Sequence, residues 1–377
     1  MGLKIAVVIT TINTGEILED YCLQLSREDF GSSCVFYVIP DRKSPDELYR
    51  RCHELCRKGY IIQCPALLEQ EEFLTRVGYS PKLVPYNSDN RRNVGFLMAL
   101  AGGCDVLISL DDDNYCIVAA SVFSEYAIVN NDLMQGEFVK SEAGWFNICD
   151  KLKFDEYKNV YPRGFPYAMR HRDLGIKKYI SQGVVRLNAG LWLDCPDVDA
   201  LTWMVAPSRS LHWDEKSDIL DLGTWTPVNT QNTSLHRSLL PAYYFPRMDY
   251  KFDQGYIDRY GDIFSGYFIQ ACMSHLKHHV RIGAPVANHR RNAHNYLKDV
   301  VRELPCILML EDILPWLQSL KLSGSDYVES YRSLADNLDD QVEMFTGEIW
   351  TSTAIAYFHA MSFCMRKWAL VCKMIGV

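Results

Sequence analysis

The stretch Val106-Leu-Ile-Ser-Leu-Asp-Asp-Asp-Asn114 decides the fold. Its first part, residues 106–110, has the length and composition of a buried strand in a parallel sheet. In open α/β sheets, ligands bind at the carboxyl ends of the strands, and the three carboxylates follow at that end. We therefore expect chemistry at this point of the chain.

The three consecutive carboxylates predict a site for a divalent cation. Asp111, Asp112 and Asp113 repel one another, and a bound cation relieves that repulsion. Mg²⁺ and Mn²⁺ prefer oxygen ligands and usually share them with substrate phosphates. Asp111 and Asp113 project to the same side if the strand continues. The pattern indicates a metal–diphosphate site of the DXD type, and the alternative is an acidic, solvated turn after a strand.

Upstream of this stretch, strand-like and helix-like segments alternate, which is typical of parallel βαβ units and predicts an α/β fold. The predicted strands cover residues 5–11, 35–39 and 60–64, and the predicted helices cover residues 16–25 and 46–58. Thr10 and Asp41 lie where the first two strands end. They could hydrogen-bond a nucleotide base or ribose there, and ordinary turn chemistry is the alternative.

The composition bounds the class of protein. The chain has 377 residues, 48% of them hydrophobic, which suffices for one large domain with an appendage or for two domains. A net charge of −8 argues against general binding to nucleic acids or anionic membranes. Thirteen scattered cysteines, with a first strand starting at Ile5, favour a cytoplasmic protein. No apolar stretch is long enough for a membrane span, so residues 355–377 are expected to form a docked amphipathic helix.

Three arginines and one aspartate are further candidates for the site. Arg92 lies in the first turn of a predicted helix, where a cation opposes the helix dipole unless an anion such as a diphosphate is near. Arg163 and Arg170 lie in an aromatic and basic loop and could clamp a phosphate, the alternative for each arginine being solvent exposure. Asp262 begins another predicted helix, either as its N-cap or as a carboxylate facing the site.

Several sequence blocks follow one another between the acidic cluster and about residue 318. They are Ile108-Ser-Leu-Asp-Asp-Asp113, Arg163-Gly-Phe-Pro-Tyr-Ala-Met-Arg170, Gly190-Leu-Trp-Leu193, Pro196-Asp-Val-Asp-Ala200, Arg259-Tyr-Gly-Asp262 and Glu311-Asp-Ile-Leu-Pro-Trp316. Together they resemble the reversibly glycosylated polypeptides, the UDP-arabinopyranose mutases. The resemblance implies a glycosyltransferase-A-like (Rossmann-like) fold, a nucleotide-sugar substrate and a divalent metal, Mn²⁺ or Mg²⁺. With residues 311–377 predicted to be helical, we expect a nucleotide-sugar domain over residues 1–310 and a helical C-terminal region beyond it.

The resemblance also carries over to individual residues. Asp111 to Asp113 match the acidic triplet of the family, Arg163 matches its reversibly glycosylated arginine, and Arg170 matches a second important arginine. Arg92 resembles an arginine before a family helix, and His289 stands where the family has a histidine, a third metal or diphosphate contact. The chain departs from the family at Asn114, at Asn188-Ala189 and at Gly261-Asp262.

These observations predict three groups of site residues, each with its own role. Metal ligation is expected of Asp111, Asp113 and His289; nucleotide-sugar binding of Thr10, Asp41, Arg92, Asp111 and Asp112; and catalysis of Arg163, Arg170 and Asp262. The metal would stabilise a leaving diphosphate, and Asp262 would act as general base or steady an oxocarbenium-like centre. Arg163 would hold the sugar, and would do so covalently only if a neighbouring carboxylate took its proton.

Three functions remain open from the sequence. The first is a metal-dependent nucleotide-sugar mutase that exchanges pyranose and furanose forms of a UDP-arabinose-like sugar. The second is a glycosyltransferase, whose acceptor site could include the polar stretch 211–226, predicted to be an insertion or mobile loop. The third is a non-catalytic nucleotide-sugar-binding subunit. The C-terminal helix is a candidate contact for a homo-oligomer, and packing on its own domain is the alternative.

Overall fold

The computed structural model describes residues 2–119, 121–157, 159–291 and 295–376. Its strands are β1 (Ile5–Thr11), β2 (Cys34–Pro40), β3 (Ile61–Gln63), β4 (Val106–Asp111), β5 (Asn114–Cys116), β6 (Met134–Ser141), β7 (Leu152–Phe154), β8 (Ile176–Gly183), β9 (Val185–Asp194), β10 (Ser210–Trp213), β11 (Asp218–Leu220), β12 (Asn232–His236), β13 (Tyr250–Phe252), β14 (Gly255–Ile257) and β15 (His279–His289). Its helices are α1 (Ile17–Arg27), α2 (Asp46–Arg57), α3 (Leu67–Arg76), α4 (Arg92–Ala101), α5 (Val122–Ala127), α6 (Ala200–Val205), α7 (Gly261–His275), α8 (Tyr296–Ser319), α9 (Tyr327–Val342) and α10 (Ser352–Ile375).

The first four strands form the parallel, Rossmann-like part of the sheet. They lie in the order β3-β2-β1-β4, and each neighbouring pair is parallel. This is the strand order of one half of a doubly wound nucleotide-binding sheet. All five elements predicted over residues 5–64 are present, with small shifts at their ends. The residues of β4 from Val106 to Leu110 are fully buried, as the apolar run predicts.

Beyond β4 the sheet becomes mixed. Strand β12 is antiparallel to both β4 and β9, and β15 is parallel to β9. The sheet then continues through β11 and β6 to β8. Helices cover it, and a region of three long helices, α8 to α10, follows the last strand. The mixed α/β sheet with flanking helices and a helical C-terminal region is therefore confirmed.

The strand registers bring the polar strand ends to one edge of the sheet. Thr10 of β1 lies opposite Asp111 of β4, and Asp194 of β9 lies opposite His289 of β15. The short strand β5 then runs back antiparallel to β15, with Asn114 opposite His289. The acidic turn at residues 111–113 is thus enclosed between parallel strand ends, next to the histidine.

The prediction of a polar insertion or loop over residues 211–226 was wrong in its first half. Strands β10 and β11 lie there and pair within the main sheet. The polar character is explained by a buried ion pair, because Lys151 Nζ lies 2.6 Å from Asp218 Oδ2 and 2.7 Å from Asp214 Oδ2. Lys178 Nζ lies 3.0 Å from the other Asp218 oxygen. In the sequence alone, a carboxylate that is buried with two ammonium partners cannot be distinguished from a charged residue of a solvated loop.

The C-terminal helices share the core of the main domain. Trp368 of α10 is fully buried, and its indole N–H donates to the Leu240 carbonyl oxygen at 2.7 Å. Thr351 caps the start of α10, and Gly376 ends it in a left-handed conformation. The expected boundary between residues 310 and 311 falls inside α8, and the division into two regions stays a prediction. Among the described residues, no helix is both long and apolar enough to cross a membrane.

One glycine allows α7 to approach closely the segment that precedes β12. A Cβ built on Gly266 would lie 1.8 Å from the carbonyl oxygen of Val228. This oxygen belongs to the backbone and cannot move away as the end of a flexible side chain could. We predict that Gly266→Ala lowers the free energy of unfolding by about 1–3 kcal/mol, although alanine is the better helix former by about 1 kcal/mol. Denaturant unfolding measures this, with Gly31→Ala as the control because its Cβ meets open space. A Gly266→Ala protein as stable as the unaltered protein would contradict this packing.

Candidate active site

The first carboxylate of the acidic cluster is held by Arg92. Arg92 Nη2 lies 2.5 Å from Asp111 Oδ1, and its Nη1 donates to Ser109 Oγ at 2.7 Å and to the Leu110 carbonyl at 2.9 Å. Nη2 also donates to Thr10 Oγ1 at 3.1 Å. Desolvation in the pocket raises the pKa of Asp111 to about 7, although the guanidinium opposes that rise. A nearby positive charge would stabilise the ionised form of a carboxylate whose pKa is raised in this way.

The second carboxylate accepts hydrogen bonds from neighbouring side chains of the protein. Asp112 Oδ2 accepts hydrogen bonds from Thr11 Oγ1 at 2.5 Å and from Asn13 Nδ2 at 2.9 Å. Burial raises the pKa of Asp112, and these hydrogen bonds work against the rise. Asp112 therefore ties the acidic turn to the end of β1, and it still contributes to the pocket wall.

The third carboxylate faces the predicted histidine. Asp113 Oδ2 lies 3.4 Å from His289 Nε2, and Asp113 Oδ1 accepts from Asn114 Nδ2 at 3.0 Å. His289 Nδ1 lies 2.6 Å from the Cys195 carbonyl oxygen, which can only accept, so Nδ1 carries a proton. That contact leaves Nε2 as the nitrogen directed at Asp113. Burial favours the neutral ring, but Asp113 outweighs it and raises the pKa of His289.

The donor chemistry at this turn fits a divalent cation. A carboxylate beside an imidazole nitrogen suits Mn²⁺, and the hydrogen bond from Nδ1 to a carbonyl is the usual support of a metal-binding histidine. Within the ranges that the structure describes, no three His, Cys, Asp or Glu side chains are already gathered for a metal. Of the three predicted ligands, Asp113 and His289 are adjacent, whereas Asp111 Oδ1 faces Arg92.

Arg163 lies across the pocket between two carboxylates. Its Nε and Nη2 lie 3.0 and 3.1 Å from the two oxygens of Asp197, and its Nη1 and Nη2 lie 3.0 and 2.6 Å from those of Asp262. Nη1 also donates to the Arg259 carbonyl. All five N–H groups of the guanidinium are thus engaged. Burial would lower the pKa of Arg163, but the two carboxylates raise it well above its ordinary value.

The sequence prediction missed Asp197. Asp197 follows the carboxyl end of β9 and accepts from both Arg163 and Asn229. Burial favours its protonated form, but Arg163 outweighs this effect and lowers the pKa of Asp197. Its position after a strand end, in the pattern Pro-Asp-Val-Asp, was an available signal, but nothing local distinguishes it from a turn residue. The neighbouring Asp199 has the turn role, because it caps α6 at Thr202.

Two predicted site residues lie outside the pocket wall. Arg170 Nη2 lies 2.5 Å from Asp199 Oδ2, and its guanidinium carbon lies 3.7 Å from the centre of the Tyr167 ring. Asp41 Oδ1 accepts from the Arg42 N–H at 2.6 Å, and its backbone N–H donates to Ser44 Oγ. Arg170 thus supports the loop that carries Arg163, and Asp41 makes a turn.

Most of the residues that line the pocket are charged. It encloses about 220 Å³. Its carboxylates are Asp89, Asp111, Asp112, Asp113, Asp197 and Asp262, and its guanidinium groups are Arg92, Arg163, Arg259 and Arg291. Thr10 and His289 also contribute. The structure therefore brings eight of the ten predicted site residues to one cavity.

Arg259 and Arg291 were also missed, and they differ in their partners. Arg259 Nε lies 2.8 Å from Glu303 Oε1, a carboxylate buried on α8. Arg291 has no carboxylate partner among the described residues and instead lies beside the rings of Trp203 and Tyr296, at 5.6 and 5.8 Å. Its place two residues after His289, the last residue of β15, was the available signal, because alternate residues of an extended segment face the same side.

Comparisons with known proteins identify the family of this chain. The model of the reversibly glycosylated polypeptide family matches residues 63–376. UDP-arabinopyranose mutase 1 of Oryza sativa subsp. japonica is 31% identical over 242 residues, which cover 63% of this chain and 61% of that protein. UDP-arabinopyranose mutase 1 of Arabidopsis thaliana is 29% identical over 221 residues, 58% and 56% of the two chains. The matched regions thus span about 60% of the length of these relatives.

A solved structure also aligns with most of the chain. Glucosyl-3-phosphoglycerate synthase from Mycobacterium tuberculosis, in complex with Mn²⁺ and UDP-glucose, is 12% identical, with a TM-score of 0.40. The alignment covers 86% of this chain and 82% of that one. The family match is independent of this alignment and extends over most of the sequence. It includes the acidic cluster, the sequence blocks that begin at Arg163 and Arg259, and the three C-terminal helices. This chain belongs to the reversibly glycosylated polypeptide family.

Proposed function

We propose that this protein is a metal-dependent nucleotide-sugar mutase, which interconverts the pyranose and furanose forms of a UDP-arabinose-like UDP-sugar. The observation that carries the proposal is the pairing of Arg163 with Asp197 and Asp262, across the pocket from the acidic turn. The matched relatives are named UDP-arabinopyranose mutases, which supports the choice of substrate. A buried pair of carboxylates beside a proposed diphosphate site suits chemistry at an anomeric carbon.

The charge of the pocket favours a diphosphate together with a cation. Six carboxylates against four guanidinium groups leave the wall formally negative, so a diphosphate alone would be repelled. Asp113 and His289 are the residues that would hold Mn²⁺ or Mg²⁺. Bound there, the cation would supply Lewis-acid stabilisation of the diphosphate.

Two arginines are the proposed diphosphate contacts from the protein. Arg291 presents a guanidinium that forms no ion pair with a carboxylate in the described structure, and burial lowers its pKa. A guanidinium in a protein nevertheless stays charged. Arg92 anchors Asp111 and lines the same cavity. Both would place positive charge where negative charge develops as the sugar leaves. Thr10 and Asp112 line the nucleotide side of this edge.

The sugar chemistry needs one carboxylate that can hold and return a proton. The bond from the anomeric carbon to the diphosphate breaks, and both electrons leave with the diphosphate. The 4-hydroxyl oxygen then bonds to the anomeric carbon and gives its proton to Asp262. The bond from that carbon to the original ring oxygen breaks, and this oxygen takes the proton back. Return of the diphosphate oxygen completes an isomerisation with no net change in protons.

Arg163 is proposed to position the carboxylates rather than to attack the sugar. A guanidinium with every N–H donated and a raised pKa has no lone pair to offer. Its two bidentate contacts hold Asp197 and Asp262 fixed relative to one another. Arg170, through Asp199 and Tyr167, would keep the loop that carries Arg163 in place.

The mutase proposal is tested without an acceptor. We predict that the purified protein, with UDP-arabinopyranose and Mn²⁺ only, forms UDP-arabinofuranose, because the diphosphate is kept and returned. Nuclear magnetic resonance and mass spectrometry of the nucleotide sugar identify the product. Slow release of free arabinose with no furanose form would contradict the mutase proposal and favour a glycosyltransferase. Tight UDP binding with no turnover of any UDP-sugar would favour a binding subunit.

The metal proposal is tested by binding rather than by turnover. We predict that chelating the metal weakens UDP binding about tenfold or more, equivalent to ~1.4 kcal/mol, because the acidic turn then faces the diphosphate unscreened. Calorimetric titration with UDP, with Mn²⁺ and with a chelator, measures the difference. Asp113→Asn should abolish most of the Mn²⁺ dependence. Asp132→Asn, at an exposed position outside the pocket wall, is the control. Equal UDP affinity with and without Mn²⁺ would remove the cation from the site.

The role of Arg163 is tested by a charge-preserving substitution. We predict that Arg163→Lys lowers kcat about 100-fold with little change in KM, because a lysine cannot hold two carboxylates in bidentate contacts. Arg209→Lys, which keeps an exposed ion pair with Asp194, is the matched control. Thermal unfolding of both variants separates a positioning role from loss of fold. Full activity in Arg163→Lys would exclude Arg163 from the mechanism.

A further inference from the structure

One carboxylate in the wall of the active-site pocket has no part in the reaction described above. Asp89 begins the short 3₁₀ turn, residues 89–91, that leads into α4, and it lines the pocket. Within the described parts of the chain, no hydrogen bond or ion pair engages either oxygen of its side chain. This is unusual, because a charged group that is partly withdrawn from water is normally paired.

The other five carboxylates of the pocket wall each have a partner of their own. These partners are Arg92 for Asp111, Thr11 and Asn13 for Asp112, His289 and Asn114 for Asp113, and Arg163 for both Asp197 and Asp262. Among the described residues that line the pocket, Asp89 is therefore the carboxylate whose acceptor positions are all available to a ligand.

The charges around Asp89 have both signs. Burial raises the pKa of Asp89, and the carboxylates of Asp262 and Asp258 add to that rise. The guanidinium groups of Arg92 and Arg259 act in the opposite direction. Both guanidinium groups donate to other carboxylates, so they favour the ionised form of Asp89 without occupying its oxygens. A ligand that donated hydrogen bonds to these oxygens would favour the ionised form further.

An unengaged carboxylate restricts the chemistry of the group that it can bind. An ionised carboxylate only accepts hydrogen bonds, so its ligand must donate them. The diphosphate of a nucleotide sugar has acceptor oxygens and negative charge, and a carboxylate repels it. The donors that remain in such a ligand are the hydroxyl groups of the sugar and the ribose, and the N–H of the base.

The packing around Asp89 favours the sugar among these donors. The next residue, Asn90, donates from its side chain to the Phe245 carbonyl oxygen at 2.6 Å. Three residues after Phe245, the sulfur of Met248 lies 2.9 Å from the Gly261 nitrogen, at the start of α7. Phe245 and Met248 both line the pocket. This segment thus connects the turn of Asp89 to the helix turn that carries the proposed proton acceptor of the sugar chemistry.

We propose that Asp89 binds hydroxyl groups of the sugar and thereby helps to select it, an inference that rests on the proposed function of the pocket. The 2- and 3-hydroxyls of arabinose stay free when the ring changes from pyranose to furanose, whereas the oxygens on carbons 4 and 5 exchange roles. A residue that holds the sugar through this exchange is best placed on the 2,3 pair. The two oxygens of one carboxylate can accept a hydrogen bond from each of these hydroxyls.

The first experiment compares a ligand that has the sugar with one that lacks it. Asp89→Ala is expected to weaken the binding of UDP-arabinopyranose, with Mn²⁺ present, about tenfold or more, because hydrogen bonds to a charged group are lost. The affinity for UDP should stay the same, which also shows that the variant is folded. Calorimetric titration with each ligand measures both affinities.

The control for this experiment is the neighbouring residue. Ser88→Ala removes the hydroxyl that accepts from the Asn90 N–H in the same turn, but Ser88 is not part of the pocket wall. It should bind both ligands as the unaltered protein does. An equal loss of affinity for UDP and for UDP-arabinopyranose in Asp89→Ala would assign Asp89 to the nucleotide or to the fold and overturn the proposal. Unchanged affinity for both ligands would overturn it as well.

The second experiment removes the hydroxyl from the ligand instead of the carboxylate from the protein. The probe is the analogue of UDP-arabinopyranose in which fluorine, which cannot donate, replaces the 2-hydroxyl. Its loss of affinity relative to UDP-arabinopyranose should be clear in the unaltered protein and much smaller in Asp89→Ala, because both changes remove the same contact. Fully additive losses would refute the contact between Asp89 and this hydroxyl.

The two proposals for this pocket can fail separately, because both experiments measure binding rather than turnover. A protein that binds UDP-arabinopyranose through Asp89 but forms no furanose product would support the role of Asp89 and remove the mutase function. Formation of the furanose product together with equal losses for UDP and UDP-arabinopyranose in Asp89→Ala would support the mutase function and remove the role of Asp89.

Discussion

The clamp of Arg163 between Asp197 and Asp262 is the interaction on which the site depends. It joins three parts of the chain: the loop that carries Arg163, the turn after β9 and the first turn of α7. A buried charge that loses its partner costs about 3–5 kcal/mol, so none of the three parts can shift alone. The loop, the turn and the helix are therefore positioned as one unit around the pocket.

The same principle holds on the other side of the pocket. Asp111 lies at the end of a fully buried strand and is stabilised by Arg92 from the start of α4. Arg92 occupies the positive end of that helix, where its own charge is unfavourable, and the carboxylate offsets this. Each arginine thus supplies a positive partner for a carboxylate within the protein. Among the described residues, the side chain of Asp113 contacts His289 and a neighbouring amide, so its charge lacks an arginine partner there.

Sequence reasoning predicted the parts of the fold that local pattern determines. The buried strand before Asp111, the alternating elements before it and the amphipathic C-terminal helix all follow from residue spacing. It could not predict that Asp197 is the partner of Arg163, since this contact depends on the register of a mixed sheet. The prediction of a loop over residues 211–226 was wrong in its first half for a related reason, because Asp218 is polar yet buried against Lys151. Burial of a charge is decided by its partner, and the partner lies far away in sequence.

Helix α8 connects the wall of the pocket to the rest of the molecule. Glu303, on its inner face, accepts from Arg259 Nε and from the Ala200 N–H, and so joins the pocket wall to the start of α6. A displacement of α8 would therefore break the buried contact of Glu303 with Arg259 and change the wall of the pocket.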